Sequence, residues 1–311
     1  MSRRLAAACA LAAAVVALAV AVSRTLFEDA PVVPADAAPA RAAAAPPRPP
    51  DAAPAGGVAW VVDVTGVVER ATSGGRWTPV AAGDTLSVDD VLRTGTLGRV
   101  TIAVGDAEVR LDPDTVFAVS ALTDAVTRVQ LGEGRIAATV RDGGRRFGVA
   151  VRGSDAVAET AAGAFSVLSA GHGDATVAAT RGEVTLSANR RTVTVRAGQQ
   201  SVVAPGSAPT APAPIPPSLF LKVKAPGRVA RSREVTLRGR TAPGAVIRIN
   251  GERVAVDPSG AFEHSVALRE GRNRVDVETR DATGRARTSQ VDVEVDTTGP
   301  AVGGDVVWGA P

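Results

Sequence analysis

Short runs that alternate apolar and polar residues fill most of the chain. Between Val58 and Val203 they include "VAWVVDVTGVV", "RVTIAVGDAEVRL", "RIAATV", "EVTLS" and "RTVTVRAG", each rich in β-branched residues and bounded by Gly, Asp, Asn or Pro. This period of two predicts β-strands. No window of twelve or more residues in this region keeps a clean 3.6-residue period, and the best candidate for a helix there is Asp155 to Ala162. We therefore expect an all-β region over 58–204.

A second region of alternating residues, 219–296, has strong turn signals. In "VIRINGERVAV", Asn250-Gly251 stands between two strand-like runs, which indicates a type I′ hairpin. "DPSG", at Asp257 to Gly260, suits a type I turn. About six or seven strands separated by such turns predict a small β-sandwich.

Composition places boundaries around these two modules. Ala30 to Gly57 and Ala204 to Ser218 consist largely of Ala and Pro, which cannot build a core. The predicted organisation is a signal peptide or signal anchor helix at 1–23, a Pro/Ala-rich linker at 24–57, the first β-module at 58–204, a Pro-rich linker at 205–218, the sandwich at 219–296 and a C-terminal tail at 297–311.

The N-terminus predicts export. Ser2-Arg3-Arg4 is a short positive segment, and Leu5 to Val22 is an uninterrupted apolar run that holds the single cysteine, Cys9. The run is long enough to cross a bilayer, while Ala19-Val20-Ala21 suits cleavage, so both a cleaved signal and a retained anchor remain open. In either case we expect the bulk of the chain outside the cytoplasm, in the periplasm or anchored to the inner membrane, with no disulfide or thiol chemistry there.

Charge and aromatic content narrow the function classes. The formal net charge is +3, and Tyr is absent. Counted along the sequence, 219–296 carries 15 basic and 11 acidic residues, so the basic excess lies in the second module. This bias suits acidic envelope polymers but falls well short of a nucleic-acid footprint. We expect no nucleic-acid partner.

One glycine-rich segment of the first module has the spacing of a nucleotide-binding motif. Gly132-x-Gly134-x-x-Ala137 resembles a dinucleotide fingerprint, but a strand rather than a helix follows it, so no helix N-terminus is available for a pyrophosphate. A more regular feature is Gly followed two residues later by an aliphatic residue, at Gly66, Gly134 and Gly182. We expect each glycine to supply a special backbone conformation or close approach, with the aliphatic residue entering the core.

The first module resembles the FecR domain family in the order and spacing of its motifs. The matching positions are Gly66, Gly83-Asp84, Arg93-Thr94-Gly95, Asp106, Leu111, Pro113, Gly134, Gly182 and Ala197-Gly198-Gln199. The resemblance implies an extracytoplasmic, all-β, partly solenoid-like domain without known catalytic residues. Family members that regulate sigma factors carry a cytoplasmic helical domain before the membrane segment. Only four residues stand there in this sequence, which disfavours that mode of signalling.

The second module resembles bacterial immunoglobulin-like modules. The matching positions are Gly239, Thr241, Pro243-Gly244-Ala245, Asn250-Gly251, Asp257, Gly260, Phe262, Gly271 and Asn273. These are turn-forming and core-forming positions. The resemblance therefore implies a fold and a spacer or adhesion role rather than a reaction.

Candidate chemical groups do not assemble into a recognisable motif. His172 and His264 fall in different modules, and the acidic pairs Asp89-Asp90 and Asp112-x-Asp114 suit turns and caps better than acid–base chemistry. Asp292, Glu294 and Asp296 share one face of the last strand, where calcium is an alternative to a solvated edge. Arg145-Arg146 and Arg190-Arg191 are expected in exposed hairpin turns. We assign no catalytic, cofactor-binding or metal-binding residue.

The sequence thus predicts a non-catalytic envelope protein that binds or scaffolds outside the inner membrane, with a cell-wall glycan or another envelope protein as partner. The alternative is a membrane-anchored signal-transduction component that relays an envelope signal to a separate partner. No cofactor is expected for either function.

Overall fold

The computed structural model describes residues 59–72, 75–123, 126–224, 227 and 229–298. The predicted N-terminal export segment and first linker lie outside these residues, as does most of the C-terminal tail. Within the described ranges the regular structure consists of strands, and no helix there has the length and apolar character needed to cross a bilayer. The predicted all-β class is confirmed.

The strands of the first module are β1 (Ala59–Thr65), β2 (Val68–Ala71), β3 (Thr78–Pro79), β4 (Thr85–Leu86), β5 (Val91–Thr94), β6 (Arg99–Val104), β7 (Ala107–Leu111), β8 (Val116–Leu122), β9 (Val126–Val140), β10 (Arg146–Val151), β11 (Val157–Thr160), β12 (Gly163–Ser169), β13 (Ala175–Ala188), β14 (Arg191–Arg196), β15 (Gln199–Val203) and β16 (Ala213–Pro214). Those of the second module are β17 (Leu221–Lys224), β18 (Val229–Ala230), β19 (Glu234–Thr241), β20 (Val246–Ile249), β21 (Glu252–Val254), β22 (Ala261–Ala267), β23 (Gly271–Arg280) and β24 (Ala286–Val295).

The first module is built from two sheets that share strands β9 and β13. Sheet one has the order β4-β1-β6-β7-β9-β12-β13-β15-β16, and sheet two has the order β3-β2-β5-β8-β9-β10-β11-β13-β14. One continuous apolar core lies between them, with Phe117, Phe147 and Phe165 among its largest fully buried side chains.

The three recurrent glycines mark the corners where the chain passes from one sheet to the other. Gly66 separates β1 from β2, Gly134 divides β9, and Gly182 divides β13. Their φ angles are +70°, +94° and +73°, a region that L-residues adopt at a cost. A Cβ on Gly134 would also stand 2.5 Å from the Thr115 Cα atom. The structure therefore confirms both reasons for glycine at these positions.

The second module is a small sandwich of two sheets. The three-stranded sheet has the order β17-β19-β22 and the five-stranded sheet the order β18-β24-β23-β20-β21. Asn250 and Gly251 both have positive φ between β20 and β21, as a type I′ turn requires. Asp257 accepts amide hydrogen bonds from Ser259 and Ala261 and closes the turn predicted there.

Three segments depart from what local patterns suggest. Part of Asp155 to Ala162, the best helix candidate, forms strand β11. Arg145-Arg146 does not lie in a hairpin turn, because β10 pairs in parallel with the first half of β9. The Pro-rich segment 205–218 follows the first module closely: β16 pairs with β15, and Thr210 and Ile215 donate amide hydrogen bonds to that module.

Candidate functional site

The second module rests on the outer face of sheet one. Along that face, neighbouring strands bring Arg135, Leu168 and Thr176 into one row and Ser166, Ala178 and Gln200 into the next. Alternation makes these side chains point away from the core, where solvent would normally be expected. All six residues are buried instead. We refer to this contact between the modules as the interface.

Arg135 is the only charged residue among these six. Its Nη1 atom donates to Asp112 Oδ2 at 2.7 Å, and its Nε atom donates to the main-chain oxygen of Ala282 at 2.6 Å. The Arg135 and Asp112 side chains are 10% and 14% exposed. Ser166 donates its hydroxyl to the same Ala282 oxygen. The turn that carries Ala282 is thereby held by two donors from the first module.

A second cluster joins the β20–β21 hairpin to the first module. Arg248 pairs with the Asp114 carboxylate, and Arg253 donates to the Asp114 main-chain oxygen. Arg253 also pairs with Glu133 at 2.9 Å, with side-chain exposures of 11% and 43%. Burial lowers the pKa of Arg253, while Glu133 opposes the shift. A guanidinium stays charged under such shifts, so these contacts act as fixed ion pairs.

The third part of the interface is the turn between β19 and β20. Thr176 donates its hydroxyl to the Gly244 oxygen at 2.8 Å, and the Gln200 amide donates to the Pro243 oxygen at 3.1 Å. Close by, apolar side chains form a small cluster of Leu168, Ala178, Ala282, Ile215 and Val246. Side chains of the first module thus donate hydrogen bonds to main-chain oxygens in two turns of the second module, next to an apolar patch.

The interface is nearly closed to ligands. One cavity, lined in part by Arg135, Arg248 and Arg253, measures about 20 Å³, and a cleft beside Asp174 and Thr176 measures about 60 Å³. The first has room for one water molecule, whereas small-molecule pockets usually measure hundreds of cubic ångströms. The arrangement is suited to holding two modules together, not to binding a small substrate.

The histidines and the first acidic pair do not form a reactive group. His172 is an exposed loop residue, while His264 lies on β22, 3.8 Å from Glu252. Asp89 adopts a positive φ, and Asp90 accepts the Ser87 amide, so this pair shapes a turn.

Four of the remaining acidic candidates are bound to basic or hydroxyl partners. Asp112 pairs with Arg135 of its own module, and Asp114 pairs with Arg248 of the second module. Asp292 faces Arg274. Asp296 pairs with Arg231 and accepts hydrogen bonds from Thr298, which lower its pKa. Across the described residues, His, Cys, Asp and Glu side chains form no group of three or more suited to a metal ion. Arg190 lies in the predicted hairpin turn after β13, and Arg191 begins β14.

The sequence patterns missed the residues of the interface. Arg135 alternates with core residues as any solvent-facing strand residue does, and nothing local marks its partner on the second module. One weak signal was present, because small or apolar residues such as Ser166, Leu168 and Ala178 point outward on neighbouring strands. Such side chains are typical of a covered face.

Comparison with known proteins relates the two modules to two families. Residues 90–199 match the family described as FecR protein, and residues 217–297 match the family described as glucodextranase, domain B. No curated protein matches the chain. The FecR match confirms the resemblance of the first module, and the second match agrees with an immunoglobulin-like module.

Solved structures that align with part of the chain include an anti-sigma factor candidate from Parabacteroides distasonis ATCC 8503. Its alignment has 19% identity and a TM-score of 0.36, and covers 40% of this chain and 59% of the other. The alignment thus spans about three fifths of that protein. Fibronectin(III)-like modules of Clostridium thermocellum CbhA align at 14% identity and a TM-score of 0.21, over 58% of this chain and 93% of theirs.

Proposed function

We propose that this chain, in which a FecR domain is followed by an immunoglobulin-like domain, is a non-catalytic binding or scaffolding protein of the cell envelope. We place its action outside the inner membrane, in the periplasm or at the membrane surface. The proposed partner is a cell-wall glycan or another envelope protein. The single observation that carries the proposal is the buried interface around Arg135.

The interface supports scaffolding because it holds two modules in one orientation. Arg135, Arg248 and Arg253 each make a charge-assisted contact from one module to the other. Breaking any of them leaves a partly buried charge or a main-chain oxygen without its partner, which opposes rotation of the modules. Surfaces on the two modules then keep a constant spacing, as a protein that bridges envelope components requires.

The test is retention of the purified full-length protein on isolated cell-wall sacculi, together with crosslinking in whole cells. We expect retention at low salt, or a specific crosslink to an envelope protein. Arg135→Ala should weaken either interaction because the modules lose their fixed orientation, whereas Arg196→Ala, in a pair exposed to 67% and 62%, should not. Absence of both sacculus binding and a crosslinked partner would contradict the proposal.

The second candidate is signal transduction, favoured by the FecR match over residues 90–199. In this case the FecR domain would relay an envelope signal to a separate membrane partner. A deletion strain should then show altered transcription of envelope genes. An unchanged transcriptome under envelope stress would eliminate this candidate.

A further inference from the structure

The outer face of the β17-β19-β22 sheet gathers positive charge. In register, Lys222 lies opposite Arg240 and Lys224 opposite Arg238. The four residues are exposed and alternate with inward-facing Leu221, Val223 and Leu237, so they point to the same side. Neighbouring strands stand about 5 Å apart and alternate residues about 7 Å apart along a strand. We call this compact group the cationic face.

Most of this charge is not neutralised within the described residues. Arg238 pairs with Glu263. Glu263 raises the pKa of Arg238 and Arg238 lowers the pKa of Glu263, so each residue favours the charged form of the other. Across the parts of the chain that the structure describes, no carboxylate oxygen lies within 4.0 Å of the charged nitrogens of Lys222, Lys224 or Arg240. The Arg240 charge contributes to lowering the pKa of Asp257, so that acid lies within electrostatic reach.

The arrangement is unfavourable for folding alone. Like charges directly opposite on neighbouring strands repel and destabilise a sheet. Two such pairs stand side by side here, and they include both lysines of the chain. A polyanion laid across the strands would remove the repulsion. We propose that the cationic face binds an acidic polysaccharide, a glycan whose repeating units carry carboxylate groups.

Neighbouring groups favour a sugar polymer as the occupant. Thr236 and Ser265 present hydroxyls on the same face, hydrogen-bonded to each other at 3.2 Å. Phe220, two residues before Lys222, is 37% exposed and offers one aromatic surface beside the charges. Surfaces that enter a lipid headgroup layer need a broader apolar face than one partly exposed ring. Hydroxyls and regularly spaced cations on one sheet face suit an extended, hydrated chain.

This inference rests on the proposed binding function and names the chemical class of the partner. The test measures binding of the full-length protein to alginate, a polyuronate, with neutral dextran and vesicles containing anionic phosphatidylglycerol in parallel. The variant Lys222→Gln/Lys224→Gln removes two charges from the cationic face. The matched control Arg272→Gln/Arg274→Gln removes two charges from β23 of the five-stranded sheet, where both residues lie opposite residues of β24 in the strand register.

We expect salt-sensitive binding to alginate, none to dextran, and affinity about tenfold weaker in the lysine variant. The control variant should stay within about twofold of the unmodified protein. Equal alginate binding by the lysine variant, or an equal loss in the control, would overturn the inference. A lysine-dependent loss on vesicles but not on alginate would assign the face to lipid and also overturn it.

The two proposals fail differently. If sacculus binding or the crosslink persists while alginate binding is absent, the acidic-glycan inference is wrong and the scaffolding function stands. If sacculus binding and the crosslink are both absent, the scaffolding function itself is wrong.

Discussion

Replacing Arg135 by alanine tests whether the two modules form one cooperative unit. The substitution removes the partner of the Asp112 carboxylate and one of the two donors to the Ala282 oxygen. Breaking a buried ion pair by removing one partner costs about 3–5 kcal/mol. The Asp112 side chain is 14% exposed, and the Ser166 hydroxyl still donates to the Ala282 oxygen. We therefore expect a loss of unfolding free energy at the lower end of this range, about 3 kcal/mol.

Equilibrium unfolding in urea, followed by tryptophan fluorescence and circular dichroism, gives the assay. The unmodified protein should unfold with both signals coincident, while Arg135→Ala should separate the transitions of the two modules. A double-mutant cycle with Asp112→Ala should return a coupling of about 1–3 kcal/mol. The exposed pair of Arg196 and Glu183 provides the control, with an expected coupling below about 1 kcal/mol.

A loss of stability below about 0.5 kcal/mol in Arg135→Ala, with coincident transitions preserved, would refute the reasoning. It would mean that Arg135 contributes little free energy to the interface and that other contacts hold the modules in their orientation. Separate transitions in the unmodified protein would refute it equally, because the modules would then already unfold independently.

Further substitutions test single features. Gly134→Ala should destabilise the protein by about 3 kcal/mol through backbone strain and a steric clash. Gly198 also has a positive φ but open space around it, so Gly198→Ala should cost only about 1 kcal/mol. Thermal unfolding measures both losses. Lys222→Glu should stabilise by about 0.5 kcal/mol by pairing with Arg240, yet lose alginate binding; a less stable variant would contradict the register. The hydroxyl and amide of Ser259 lower the pKa of Asp257 in the folded protein below its usual value of 3.8. The ionised Asp257 carboxylate therefore stabilises the fold at pH values above 3.8, and this stabilisation is lost as the pH falls through the lowered pKa. Comparing unfolding of the unmodified protein and Asp257→Asn over that range should show about 0.5 kcal/mol of pH-dependent difference after allowing for solvent screening, and parallel curves would disprove the role.

Local patterns in the sequence identified features that depend on near neighbours in the chain. β-Branched runs predicted most strands, Asn250-Gly251 predicted a hairpin, and Gly66, Gly134 and Gly182 were expected to have special backbone geometry. Each of these follows from the chemistry of a few adjacent residues.

Features that depend on distant residues were not predictable in this way. The parallel pairing of β10 with β9 requires a crossover whose target no local pattern specifies. The ion pairs of Asp114 with Arg248 and of Glu133 with Arg253 join residues far apart in sequence. For the same reason, a count of charged residues along the sequence showed the basic excess of the second module but not where it lies. Its concentration on one sheet follows from the strand register, which the sequence did not predict.

The shared strands β9 and β13 have a consequence for how the protein folds. Each strand must align with neighbours in both sheets, so a slip in one sheet would misalign the other as well. The corner glycine permits one alignment, since a one-residue shift would place Glu133 or Arg135 at a φ of +94°. A folding intermediate with a shifted β9 or β13 is therefore destabilised in both sheets. Only the native register allows both sheets to form at once. We expect a slow, all-or-none folding step rather than sheet-by-sheet growth.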